Sequence, residues 1–205
     1  MTWKPVVATD EPQRRNNDSL TKYLDDDKAR VETRIVALES SSVRLIERQK
    51  LAASAASVTL TPPASGYRSL EMVAHWQDAS TGDLDLRLRF NADTAANYSY
   101  YSIQDVSTLA PAAVQVSSGT YIRVGTGYDT TYRFSVSTIK IPEYQNNTHK
   151  SLVHTSYNPR VATGQAAEVG GGIWHSTAAI TSIVLSASTG NLASNSSFSL
   201  YGYPL

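Results

Sequence analysis

The chain has 205 residues, enough for one or two domains with a core of their own. Its 18 basic and 18 acidic residues balance, so no polyanionic partner such as nucleic acid is expected, and the absence of cysteine removes disulfides, thiolate metal sites and thiol nucleophiles together. No run approaches the ~20 apolar residues needed to span a bilayer, and the opening stretch MTWKPVVATDEPQRR has no continuous apolar segment, so synthesis in a cytoplasm without a signal peptide, and no membrane partner, is the expectation.

Charge is dense and glycine absent from Asp10 to Lys50, whereas Ser, Thr, Tyr, Val and Gly dominate from Ser54 onward. In the first half Leu24, Val31, Leu38 and Leu45 recur every seven residues. With these at d of a heptad, Lys28, Ile35, Ser42 and Gln49 fall at a, giving a seam that is regular at d and mostly polar at a. Arg34 at g can face Glu39 at e of a parallel neighbour. Asp18 or Ser19 serves as N-cap, and the acidic run Asp25 to Asp27 sits early, where the positive end of the helix dipole favours it. The spacing predicts a coiled-coil helix over residues 18–53, running to about Leu51 and fading before Pro62 and Pro63. An amphipathic helix packed on its own β domain is the competing reading; it ranks second because a narrow seam between charged faces suits a like partner better than a broad sheet.

From Val58 the period becomes two. Asp83 to Phe90 alternates throughout, with Leu84, Leu86, Leu88 and Phe90 inward and four charges outward. Strands are likewise predicted at Leu70 to Trp76, Tyr98 to Gln104, Tyr121 to Thr126, Tyr132 to Ile141, Leu152 to Tyr157, Ile180 to Ser186 and Phe198 to Tyr203. Trp76 shares the inward face with Leu70, Met72 and Ala74. Turn chemistry separates these segments, including Gly125-Thr126-Gly127 and Gly170 to Gly172, which read as turns or as close backbone contacts. The class expected is mainly β: an N-terminal coiled-coil helix followed by an antiparallel jelly-roll-like β-sandwich over residues 54–205.

Catalytic signals are weak. There is no G-x-S-x-G elbow, and the spacings of His149, His154 and His175 match no recurrent zinc motif. Consecutive helical residues diverge by about 100°, so Asp25 to Asp27 cannot converge on a cation. Neither glycine cluster opens a helix or carries a following Lys-Ser/Thr. No enzyme activity, cofactor or metal is therefore expected. Twelve tyrosines, with Tyr98, Tyr100 and Tyr101 grouped, suit strands and subunit interfaces; Tyr128, Tyr144, Tyr157 and Trp174, near predicted loops, are the candidates for stacking on a glycan.

A heptad stalk joined to a Ser/Thr/Tyr-rich sandwich, closing on Ser196-Ser197-Phe198-Ser199-Leu200-Tyr201-Gly202-Tyr203, resembles the small fibre, spike and decoration proteins of tailed bacteriophages. The resemblance implies a homotrimeric structural protein of the virion, made in the host cytoplasm and docked by its N-terminus on other virion proteins; a glycan- or receptor-binding module of a tail fibre is the alternative. The anchoring arm would be residues 1–17, where Trp3, Val6 and Val7 lie among Pro5 and Pro12 with no helical or strand period.

Overall fold

A computed structural model describes residues 21–34, 42–79, 83–106, 111–128, 134–159 and 166–205. The chain divides into two compact units, Met1–Ser42 and Val43–Leu205. The expected arm residues Trp3, Val6 and Val7, and the seam residues Ile35 and Leu38, lie outside the described residues.

In the first unit the described residues 21–34 are helical and are called α1. Every residue in it is exposed, including Leu24 at 59% and Val31 at 51%, one heptad apart. Lys28 and Glu32 approach to 4.0 Å at i,i+4, an exposed pair of small energetic weight. Among the described residues no helix is long and apolar enough to cross a membrane.

The second unit is a β-sandwich of twelve strands: β1 (Arg44–Lys50), β2 (Ser57–Leu60), β3 (Tyr67–Trp76), β4 (Asp83–Phe90), β5 (Tyr98–Val106), β6 (Ala112–Gly119), β7 (Ile122–Tyr128), β8 (Ser135–Pro142), β9 (Lys150–Asn158), β10 (Ala166–Trp174), β11 (Ile183–Ala187) and β12 (Ser197–Pro204). They form an eight-stranded sheet, β1-β12-β3-β8-β9-β10-β5-β6, and a four-stranded sheet, β2-β11-β4-β7. All the pairings are antiparallel. The core lies between the sheets. Leu70, Met72, Ala74 and Trp76 of β3 meet Leu86, Leu88 and Phe90 of β4, with Ile139, Ile141, Phe198 and Leu200 from one sheet and Ile183 and Leu185 from the other. Strict alternation in β4 gives this result directly, since period two places every second side chain on one face. The closing motif has the same logic: Phe198 and Leu200 of β12 are fully buried, between β1 and β3.

Residues 44–50 correct the helix expectation. Instead of continuing a coiled coil to Leu51, Arg44–Lys50 is the strand β1, paired with β12 from Arg44↔Gly202 to Lys50↔Ser197. The segment Arg44-Leu45-Ile46-Glu47-Arg48-Gln49-Lys50 favours helix locally, but pairing covers what would otherwise be the bare edge of β12 and brings Ile46 and Leu51 onto the core. Side-chain bonds to the opposing sheet hold it: the Glu47 carboxylate accepts from the Thr61 N–H at 2.8 Å, and Gln49 Nε2 donates to the Thr59 carbonyl at 2.6 Å. Leu45 and Gln49, expected in the helical seam, belong instead to this edge strand, and the sandwich begins at Val43 rather than Ser54. Ser42 closes the first unit outside any regular element.

The triple glycine is a second correction. Gly170 to Gly172 does not turn; it lies inside β10, paired on both sides, and none of the three has a positive φ. Glycine is needed there for space, the alternative of close contact. A Cβ on Gly172 would come within 2.7 Å of Ile122 in the opposite sheet, and one on Gly170 within 2.6 Å of His154 Nε2. Gly125 and Gly127 likewise sit within β7.

Candidate functional site

Alternation gives the eight-stranded sheet two chemically distinct faces. Its inner face carries an ionisable cluster under β7. Arg123 of β7 reaches across the interior so that its Nε and Nη2 donate to Glu168 Oε1 of β10, both at 3.0 Å, while Nη2 also donates to Ser102 Oγ of β5 at 2.9 Å. Asp85 Oδ1 stands 3.8 Å from Nη1. Nearby, the His154 ring of β9 is buried with neither nitrogen hydrogen-bonded, and burial first, then the Arg123 charge, push its pKa from 6.5 down to about 4. It is therefore a neutral imidazole at physiological pH. Arg123, Glu168 and His154 are all buried, so this cluster joins the sheets and is closed to substrate.

The outer face is different. Tyr101 and Ile103 of β5, Val153 and Tyr157 of β9, and Val169 and Ile173 of β10 are each about two-fifths exposed or more. Register brings them together: Val169 pairs with Ile103, and Gly171 lies between Val153 and Tyr101. At the β5–β6 end of this face is an open groove of about 480 Å³. Tyr101, 49% exposed, stands between Gln115 of β6 and Gly171 of β10 in one cross-strand row. In the next row Ser99 pairs with Ile173, and the β5–β6 register slips between Tyr98 and Tyr100, leaving Ser117 and Ser118 of β6 both exposed opposite Ser99. Such bulges re-aim side chains at the edges of sheets. His175 follows β10, its N–H bonded to the Asn97 carbonyl at 2.7 Å, its Nε2 3.0 Å from Ser99 Oγ and its ring edge-on to His149 at 5.4 Å between centroids.

The glycan candidates read from sequence do not converge here. Tyr144 is fully buried, its hydroxyl donating to the Pro63 carbonyl at 2.7 Å, and burial raises its pKa. Trp174 is also buried, donating from Nε1 to Asp93 Oδ2 at 2.7 Å; that bond and the larger effect of the Asn97 amide lower the Asp93 pKa. Both were expected near loops, but the residues around them fold inward to satisfy their polar atoms, so neither ring is available to a sugar. Tyr157 is exposed on the outer face, 42%, away from the groove, and Tyr128 ends β7 with its side chain outside the described residues. Tyr101 was visible only as one of a group, although alternation alone places it opposite to the buried Tyr98 and Tyr100. Gln115 lies in β6, a strand whose Ala-Ala-Val-Gln-Val-Ser-Ser-Gly sequence has little contrast between its faces.

Among the described residues no group of three or more His, Asp or Glu side chains is arranged to hold a metal ion.

No family model matches the chain, and no curated protein matches it. Among solved structures it is similar to a galectin from Caenorhabditis elegans, at 7% identity and a TM-score of 0.33 over 74% of this chain and 94% of that one. It is also similar to a leech intramolecular trans-sialidase, at 10% identity and a TM-score of 0.29 over 78% of this chain and 26% of that one. A xylan β-1,4-xylosidase from Bacillus halodurans gives 10% identity and a TM-score of 0.27 over 69% of this chain and 28% of that one. The chain thus spans about a quarter of the length of the last two.

Proposed function

We propose that the chain is a non-enzymatic structural subunit of a larger assembly, a homotrimeric appendage of a tailed-phage virion that docks through its N-terminal arm and displays the β-sandwich. The observation that carries this reading is the exposure of Leu24 and Val31 on α1. The described helical residues 21–34 bury no side chain, and most helical stability in proteins comes from tertiary or quaternary packing of an apolar stripe. Association with two other copies through the Leu24, Lys28 and Val31 face supplies that packing. The non-enzymatic reading is supported by the burial of Arg123, Glu168 and His154, the first two of which pair with each other across the sheets. The jelly-roll-like assignment rests on the way the chain crosses between sheets, with β2, β4, β7 and β11 in one and the other eight strands in the other.

Light scattering on the purified chain tests the assembly: a mass near three times 22.3 kDa is expected, and a monomeric mass at micromolar concentration overturns it. Deleting residues 2–17 tests the docking. The truncated chain should keep its oligomeric mass and thermal stability while failing to enter the particle, whereas normal incorporation, read by cryo-EM of purified virions, would move the attachment to the sandwich.

A further inference from the structure

We propose that the groove between β6, β5 and β10 on the outer face of the eight-stranded sheet is a binding site for a neutral oligosaccharide. This goes beyond assembly, and it does not depend on the oligomeric state, since every residue of the site comes from one sandwich.

The argument begins with what lines the groove. Tyr101 offers a half-exposed aromatic ring whose neighbour on β10 is Gly171, a residue with no side chain to fill the space beside it. A pyranose has the matching shape, an apolar face of C–H groups ringed by hydroxyls, and tyrosine pairs an apolar body with a polar tip. Around Tyr101 stand a carboxamide, Gln115, an imidazole, His175, and the hydroxyl of Ser99; all are groups that both donate and accept as sugar hydroxyls require. Ile173 supplies the apolar floor beside them.

Charge then selects among sugars. Among the described residues no Asp, Glu, Lys or Arg lines the groove. A sialylated or sulfated ligand would bring an anion with no guanidinium or ammonium to receive it, and desolvating that anion would cost affinity. A neutral sugar has no such penalty. At about 480 Å³ the groove falls within the range of roughly 300–1,000 Å³ usual for small-molecule sites, and being open at the surface it suits a short stretch of a longer chain.

Two features pre-form the site. The bulge opposite Ser99 exposes two consecutive serines at its margin, and His175 has its main chain bonded to Asn97 while its ring meets Ser99 Oγ at 3.0 Å and the ring of His149 edge-on, so the ring has partners before ligand arrives. Ordering of side chains on binding is correspondingly small.

The test is titration of the full-length chain, followed by NMR, with a panel of neutral oligosaccharides (cellopentaose, maltopentaose, chitotriose and a β-galactobiose) alongside sialyllactose and a heparin tetrasaccharide. At least one neutral member is expected to bind and to shift the amide resonances of Gly171 and Ile173. Tyr101→Ala should weaken that binding roughly tenfold or more, Gln115→Ala should weaken it less, and Tyr101→Phe should retain it. Tyr157→Ala, on the same face outside the groove, should leave it unchanged, and near-UV circular dichroism checks that each variant is folded. The proposal is overturned if no neutral member of the panel binds, if only the charged sugars bind, or if binding is indifferent to Tyr101→Ala. A failure of this kind leaves the light-scattering mass untouched, so it is distinguishable from failure of the assembly reading.

Discussion

Gly127 of β7 lies against the indole of Trp76, so closely that a Cβ at position 127 would overlap the Cη2 and Cζ3 atoms of the ring. Trp76 is fully buried, its Nε1 donates to Ser137 Oγ at 3.1 Å, and Ser137 Oγ in turn donates to Ser156 Oγ at 3.1 Å. The glycine is what allows the edge strand of the small sheet to close over this tryptophan. Gly127→Ala should therefore cost ~1–3 kcal/mol through overpacking, and Trp76→Ala ~3–5 kcal/mol through the cavity it leaves. Denaturant unfolding of each variant measures both. A freely quenchable Trp76 in the folded protein would contradict the strand register of β3.

Arg123 and Glu168 form the charged contact between the sheets, and the second carboxylate oxygen of Glu168 is buried without a hydrogen-bond partner. Removing one member strands the other. Glu168→Leu or Arg123→Met should each cost ~3–5 kcal/mol, whereas the double change Arg123→Met with Glu168→Leu should recover most of that loss, because desolvation of both ions is removed together. Urea midpoints of the three variants form a double-mutant cycle that checks this.

His154 makes stability depend on pH. Its folded pKa, about 4, lies below the unfolded value of 6.5, so between those values the unfolded chain binds a proton that the folded chain does not. Its effect is absent above pH 6.5, and the fold loses up to ~3 kcal/mol as pH falls from 6.5 towards 4. Asp93, whose pKa is lowered from 3.8, extends the loss to more acid pH. The His154→Gln variant should show a flatter stability profile between pH 6.5 and 4 than the parent chain; an unchanged slope would mean that another group carries the proton.

If α1 is the oligomer interface, Val31→Asp should dissociate the assembly by placing like charges together in a desolvated seam. The melting transition of the sandwich, whose core is built from residues of the second unit, should stay in place. Sedimentation equilibrium and a thermal melt on one sample separate the two effects.

The strands with contrast between their faces were legible. Asp83–Phe90 occupies the predicted limits, and Trp76 falls on the predicted inward face, because alternating charge and aliphatic side chains admit one orientation only. Two of the glycan candidates were not. Proximity to a predicted loop says nothing about which way a ring points, and Trp174 and Tyr144 turn inward because Asp93 and the Pro63 carbonyl are there to receive their polar hydrogens.

By itself, then, the amino-acid order determined a charged helical beginning, a predominantly β remainder and most of the inward side chains, all properties carried by neighbours two to seven residues apart. Tertiary structure alone decided that Arg44–Lys50 becomes a strand, that three consecutive glycines run through the middle of a sheet, and that Tyr101, Gln115 and His175 meet in one groove. Each of these depends on a partner distant in sequence: an open edge on β12, an isoleucine from the facing sheet, a bulge in β6. Pairing energy gained across such distances outweighs local preferences of a few tenths of a kcal/mol per residue, and no local period records it.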